Sequence, residues 1–87
     1  MFYTYILENQ NDRSLYIGYT ANLRRRLQEH LSGCGGKTTS KKQGWKLIYY
    51  EAYCIQKDAL GREKFLKSGS GRKYIIKQLF HYLNNHT

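Results

Sequence analysis

Five side chains in this sequence have the types needed for acid–base and phosphate chemistry. They are two phenols, one guanidinium, one imidazole and one carboxylate: Tyr5, Tyr16, Arg26, His30 and Glu63. A phenol with an ordinary pKa of about 10 is a poor base at neutral pH, but a nearby positive charge would lower that pKa. A guanidinium can meet charged phosphoryl oxygens with paired donors. Each residue taken singly is more often structural, so the hypothesis depends on their joint arrangement.

Carboxylates are scarce, and this limits the metal chemistry that the chain can support. The sequence has six Asp and Glu residues, and they are scattered along its length. Two metal ions about 4 Å apart need a cluster of acids. One hydrated Mg²⁺ keeps several waters and needs few protein ligands. A lone carboxylate therefore suits a single ion.

The first two elements that must position these groups read as a β-hairpin. Phe2 to Leu7 and Leu15 to Tyr19 are rich in aromatic and β-branched residues, which predicts two strands. The polar segment 8–14 between them predicts the turn. With a symmetric loop and no bulge, Leu7 pairs with Ser14, and Tyr5 lies opposite Tyr16 on the same face.

A helix is predicted to follow the hairpin. Its apolar stripe has a spacing of four residues: Leu23, Leu27 and Leu31. Thr20 or Asn22 can cap its start, and Gly33 ends it.

Two of the chemical groups are on this helix. Arg26 and His30 are four residues apart, so they stack on one face, at the border of the leucine stripe. Arg25 points away. The hairpin is the surface available to the leucines, so Arg26 and His30 are expected where the helix edge meets the sheet.

The remaining elements complete an α+β pattern. We predict a basic loop over 33–44, a third strand over 45–53, a helix carrying Glu63 over 57–68, a glycine break over 69–71 and a final amphipathic helix over 72–83. The order β-β-α-β-α-α predicts a three-stranded antiparallel sheet flanked by helices, as one domain over residues 1–87.

The charge of the chain points to a polyanionic partner. The net charge is +9, and most of the bases follow residue 23. Nucleic acid is the leading candidate and a membrane surface the second, and charge alone does not separate them. We expect five bases to contact phosphates: Arg25, Lys37, Lys41, Lys42 and Lys46. For any single lysine, plain solubilising charge is an equal alternative.

Other classes of protein are disfavoured. The two cysteines, Cys34 and Cys54, have no zinc-site spacing, and a disulfide between them is not expected. The N-terminus lacks the pattern of a signal peptide, and no apolar run approaches the roughly 20 residues that span a bilayer. We therefore expect a soluble, cytoplasmic protein with no membrane contact.

Four ordered segments resemble the motifs of the GIY-YIG nuclease family. The first motif is degenerate, because Tyr3-Thr4 stands where the family has Gly-Ile, before Tyr5. The second motif is intact, as Tyr16-Ile17-Gly18. The helix that follows is similar through His30, and segments 45–51 and 59–64 also fit. The resemblance runs from residue 2 to about residue 68. It is closest to short single-domain bacterial members.

This resemblance implies a DNA endonuclease that uses one divalent metal, Mg²⁺ or Mn²⁺. It implies that Tyr5 is a general base or its relay, that Tyr16 orders the attacking water, and that Arg26 stabilises the phosphate. By the same resemblance, His30 assists the tyrosine and Glu63 binds the metal. The Asn that many members carry on the helix after this Glu has no clear counterpart, and Gln78 is a weak candidate.

Two other functions stay open at this point. One is a nucleic-acid-binding module that keeps the fold without turnover, acting on branched DNA or on RNA. The other is a peripheral protein of anionic membranes, which would need exposed apolar anchors on a basic helix. Residues 72–83 could supply such a helix, but their apolar face is better used as core.

Overall fold

A computed structural model describes residues 1–32 and 42–85. In chain order, its strands and helices are β1 (Phe2–Asn9), β2 (Leu15–Thr20), α1 (Leu23–Leu31), β3 (Trp45–Tyr53), α2 (Gln56–Leu66), α3 (Gly69–Gln78) and α4 (Phe80–Leu83). The predicted α+β order is confirmed, with one short helix added at the end. Four residues discussed above, Gly33, Cys34, Lys37 and Lys41, lie outside the described ranges. Cys54 is a free, exposed thiol.

The sheet has β1 at its centre, with β2 and β3 antiparallel on either side. One face carries Tyr5 and Leu7 and packs against the leucines of α1; we call it the α1 face. The other carries Ile6 and packs against Leu66 of α2 and Ile75 of α3; we call it the α2 face. Because helices cover both faces of β1, this strand is buried over most of its length.

A bulge in β3 changes which side chains reach each face. Leu7 pairs with Leu47, but Ile6 pairs with Tyr49, so Ile48 is an extra residue. An extra residue reverses the alternation of side chains beyond it. Tyr49 therefore packs on the α2 face, while the next residue, Tyr50, shares the α1 face with its cross-strand partner Tyr5.

The predicted break at residues 69–71 is wrong, because these residues form the first turn of α3. The Ser68 hydroxyl accepts a hydrogen bond from the Gly71 N–H at 3.1 Å and so caps the new helix. Because Ser68 already caps α3, α2 ends at Leu66, two residues before its predicted end. A side chain on Gly71 would overlap the Phe65 carbonyl oxygen, so a glycine lets the two helices meet closely.

The prediction of one continuous helix over 72–83 is also wrong. Leu79 leaves the helical conformation, with φ −107° and ψ 30°, and separates α3 from α4. The apolar face of 72–83 was expected to be core, but two of its residues, Ile76 and Phe80, are 55% and 54% exposed. Within residues 1–32 and 42–85, no helix is both long enough and apolar enough to cross a membrane.

Candidate active site

The hairpin brings Tyr5 and Tyr16 together, but in a different register from the predicted one. Tyr5 lies opposite Gly18, and Tyr16 lies opposite Leu7. The cause is the turn: the Asn9 side-chain oxygen accepts two backbone N–H groups of the turn, so β1 continues two residues further than expected. A shift of two residues keeps both phenols on one face, and their ring centroids are 6.4 Å apart.

Gly18 makes room for the Tyr5 phenol. A Cβ atom on Gly18 would lie 2.5 Å from both the Tyr5 hydroxyl oxygen and the ring carbon that carries it. Without a side chain at this position, the phenol can lie across β2 and reach the helix beyond. The glycine of Tyr16-Ile17-Gly18 is therefore a steric requirement for the position of Tyr5.

The Tyr5 hydroxyl meets His30, with 2.8 Å between the oxygen and Nε2. His30 is 2% exposed, whereas Leu31, which we assigned to the apolar stripe, is 70% exposed. At about 100° per residue, position 30 lies about 20° from Leu23 around the helix, and position 31 about 80° away. A stripe read at i, i+4 and i+7 would have placed His30 in the packed face from the sequence.

Arg26 is one turn before His30 on α1, and its guanidinium lies between a carboxylate and the phenols. Its Nη1 donates to Glu29 at 3.0 Å. The pKa of Arg26 is raised, first by the hydrogen bond to Glu29 and then by interactions with the Tyr5 and Tyr16 hydroxyls, against the effect of burial. Arg26 is therefore a fixed cation, and its side chain is 25% exposed.

The pKa of Tyr5 is raised overall, because burial raises it to about 12. Arg26 lowers this pKa, as expected for a nearby positive charge, but it offsets burial only in part. Burial lowers the pKa of His30, and the positive charge of Arg26 lowers it further. At neutral pH the pair is thus a protonated phenol beside a neutral imidazole, which suits donation from Tyr5 Oη to His30 Nε2.

Glu63 lies on α2, and its charge also reaches Tyr5. The negative charge of Glu63 contributes to the raised pKa of Tyr5. The Glu63 carboxylate is 21% exposed and forms an ion pair with Lys67, with 3.1 Å between Glu63 Oε2 and Lys67 Nζ. Among the described residues, no three His, Cys, Asp or Glu side chains cluster in a way that could hold a metal. A single, partly exposed carboxylate fits one hydrated divalent ion.

The bases proposed to contact phosphates are dispersed. Arg25 is exposed on α1. Lys42 pairs with Asp12 at 2.8 Å, and the Lys46 ammonium lies over the Tyr82 ring on the α2 face, away from Tyr5. The other two lysines lie outside the described residues. Gln78, the weak candidate for the family Asn, is exposed at the end of α3.

Sequence reasoning missed two residues beside this cluster. Glu29 pairs with Arg26, and their i, i+3 spacing on one helix could have predicted it. Tyr50 lies opposite Tyr5 on the sheet. No local signal predicts that placement, since it depends on the bulge at Ile48.

The comparisons with known proteins agree with this architecture. The GIY-YIG catalytic domain matches residues 1–75. The chain therefore belongs to the GIY-YIG family, whose members are nucleases, and this membership implies a nucleic-acid substrate.

Its relatives include small UPF0213 proteins. The one from Pediococcus acidilactici is 44% identical over 80 residues, which cover 90% of this chain and 80% of that protein. The one from Clostridium perfringens is 42% identical over 67 residues, with 77% and 71% covered. A solution NMR structure of a UPF0213 protein from Bacillus halodurans has 32% identity and a TM-score of 0.55, covering 90% of this chain and 85% of that one.

Proposed function

We propose that this domain, over residues 1–87, is a DNA endonuclease that hydrolyses phosphodiester bonds with one divalent metal ion. The observation that carries the proposal is the Tyr5 phenol held between the neutral imidazole of His30 and the cation of Arg26. A phenol with a base on one side and a cation on the other can move a proton beside a bound phosphate. Membership of the GIY-YIG family supports the same activity.

The proposed proton path starts from water and ends on His30. A water oxygen attacks phosphorus as its proton passes to Tyr5 Oη, and the Tyr5 proton passes to His30 Nε2. The bond from phosphorus to the leaving oxygen breaks, and that oxygen takes a proton from solvent. Because Tyr5 gives up its own proton as it takes one from water, the path avoids a free Tyr5 phenolate, which the high pKa of this phenol disfavours. Tyr16, beside both Tyr5 and His30, is proposed to hold the attacking water.

Arg26 and Glu63 are proposed to stabilise the negative charge of the phosphate, Arg26 directly and Glu63 through the divalent ion. Arg26 would turn its donors from Glu29 to the phosphoryl oxygens, where negative charge grows during the attack. Glu63 would hold the divalent ion, Mg²⁺ or Mn²⁺, in place of Lys67. An ion held there would supply a Lewis acid that neutralises phosphate charge. Arg25 and the lysines of residues 37–46 are proposed to add salt-dependent contacts to the backbone of DNA.

A nicking assay on supercoiled DNA with Mg²⁺ or Mn²⁺ tests this function. We expect the wild type to nick, and Glu63→Ala and Tyr5→Phe to lose nicking while still binding DNA. Asp58→Ala removes an exposed acid from the same helix and is the matched control, since it should keep activity. If wild type and Glu63→Ala bind DNA equally and neither cuts it, the protein is a binding module and the proposal fails.

A further inference from the structure

Two tyrosines next to the candidate active site have no role in the proposed chemistry. Tyr3 and Tyr50 lie on the α1 face, beside Tyr5: Tyr3 is two residues before it on β1, and Tyr50 is its cross-strand partner on β3. Their rings meet edge to face, with centroids 6.2 Å apart and planes at 60°. They form an aromatic pair adjoining Tyr5, which we call the tyrosine pair.

Tyr50 is the exposed member of the tyrosine pair, whereas Tyr3 is half-buried. Leucines of α1 cover the other end of this face, around Leu7 and Trp45. Tyr50 is 53% exposed. A concavity of about 360 Å³ runs along β3 beside it, lined by residues 47–50. The contact with Tyr3 supports the Tyr50 ring, so an exposed aromatic surface lies next to the phosphate site.

A large aromatic exposed beside a phosphate site has the chemistry of a base-stacking surface. Bases stack on tyrosine rings with little preference for sequence, because every base has a π-face. Neighbouring strands are about 4.8 Å apart, and the Tyr5 phenol lies over Gly18 on β2, so it is two strand spacings, about 10 Å, from Tyr50 on β3. The base of a nucleotide next to this phosphate is therefore within reach of Tyr50, in a protein with a net charge of +9.

We infer that the tyrosine pair stacks an unpaired base next to the phosphate that is cut, so that the preferred substrate is DNA with unpaired nucleotides at the cleavage position. The inference rests on the proposed function for the location of the phosphate. A base inside a continuous duplex has both faces covered by its neighbours, so it cannot stack on Tyr50 without leaving the helix. An unpaired base has already left it, which makes the tyrosine pair a specificity determinant for DNA structure.

The test compares two DNAs of the same sequence, one fully paired and one with a short internal loop of unpaired nucleotides. Binding is measured by fluorescence anisotropy in the presence of EDTA, which removes divalent metal so that the DNA is bound without being cut. Tyr50→Leu keeps apolar bulk and removes the ring, whereas Tyr50→Phe keeps the ring. Tyr19→Leu is the matched control, because Tyr19 pairs with Thr4 on the opposite face and stacks on Phe2. Thermal unfolding of each variant checks that the fold is kept.

We expect Tyr50→Leu to weaken binding of the looped DNA by about 5- to 150-fold, the effect of losing one stacked base. Its affinity for the paired DNA should stay unchanged, and Tyr50→Phe and Tyr19→Leu should resemble the wild type on both DNAs. Equal losses on the two DNAs, or no loss on the looped one, would overturn the inference. Since Phe keeps the stacking surface, a loss in Tyr50→Phe equal to that in Tyr50→Leu would also overturn it.

Cleavage of the same DNAs with Mg²⁺ separates the two proposals. If the wild type cuts and Tyr50→Leu cuts the looped DNA equally well, the stacking inference fails while the proposed function holds. If the wild type cuts neither DNA, the proposed function fails, and the binding comparison still decides whether Tyr50 selects unpaired bases.

Discussion

The Tyr5 phenol lies across the backbone of Gly18, its cross-strand partner in the hairpin. The space that a Cβ atom would need at position 18 is occupied by the Tyr5 hydroxyl and the ring carbon that bears it, both 2.5 Å away. The same hydroxyl is 2.8 Å from His30 Nε2. A small residue on the edge strand thus sets the position of a side chain on the central strand.

Gly18→Ala is expected to displace the Tyr5 hydroxyl from His30 and to reduce kcat by about 10²-fold, the typical effect of an error of about 1 Å in a catalytic group. The measurement is kcat for nicking beside thermal unfolding. Gly61→Ala is the control, because nothing lies within 4 Å of the added methyl group. Unchanged kcat in Gly18→Ala would show that the Tyr5 hydroxyl is not needed where the structure places it.

Arg26→Ala is expected to reduce nicking by about 10² to 10³-fold, the effect of losing one donor to a developing oxyanion. Its fold should be kept, because the Arg26 side chain lies at the border of the core and is 25% exposed. Arg26→Lys should recover only part of the activity, since lysine lacks the paired donors. Arg24→Ala on the same helix is the control and should retain kcat, because Arg24 is exposed and has no role in the proposed site. A loss of cooperative unfolding in Arg26→Ala would mean that Arg26 is structural.

The activity is expected to fall in acid as His30 becomes protonated. Burial first, and then the charge of Arg26, lower the His30 pKa below its ordinary value of about 6.5, so the neutral acceptor persists at neutral pH. A pH profile of kcat/KM should decline only below that lowered pKa. A decline already centred at or above about 6.5 would contradict the assignment of His30 as the acceptor.

The free energy of unfolding should also depend on the protonation of His30. In the unfolded chain His30 takes up a proton below about pH 6.5, but in the folded protein it does so only below its lowered pKa. Between these two values the unfolded state binds more protons, so the free energy of unfolding decreases as the pH falls. Urea unfolding at pH 7.5 and pH 5 should show this loss, and His30→Gln should reduce it. An identical loss in His30→Gln would assign it to other groups.

Gly71→Ala is expected to destabilise the protein by about 1–3 kcal/mol, as overpacking does, because the new methyl group would overlap the Phe65 carbonyl oxygen. Gly69→Ala lies in the same first turn of α3 with nothing within 4 Å of the added methyl group, so it should be neutral or stabilising by up to about 1 kcal/mol. Chemical unfolding of the two variants measures the difference. Equal stabilities would show that α2 and α3 do not meet at Gly71 as closely as described.

Local patterns predicted most of the elements. The third strand begins and ends at the predicted residues, 45 and 53. Of the two predicted caps of α1, Thr20 and Asn22, the structure uses Asn22, whose side chain accepts a hydrogen bond from the Arg25 N–H. Strand alternation and helical periodicity are properties of neighbouring residues, so they are visible in the sequence. The end of α2 and the start of α3 were not predicted, because a close contact between these two helices lies at Gly71.

By itself, the sequence determined the family, the order of the elements and the identities of the five candidate site residues. These follow from the types and spacings of residues, which need no coordinates. The tertiary structure alone decided the hairpin register, the bulge that brings Tyr50 beside Tyr5, and the protonation of Tyr5. Register and bulge depend on hydrogen bonds between strands, and the Tyr5 pKa depends on how far packing excludes water from the phenol.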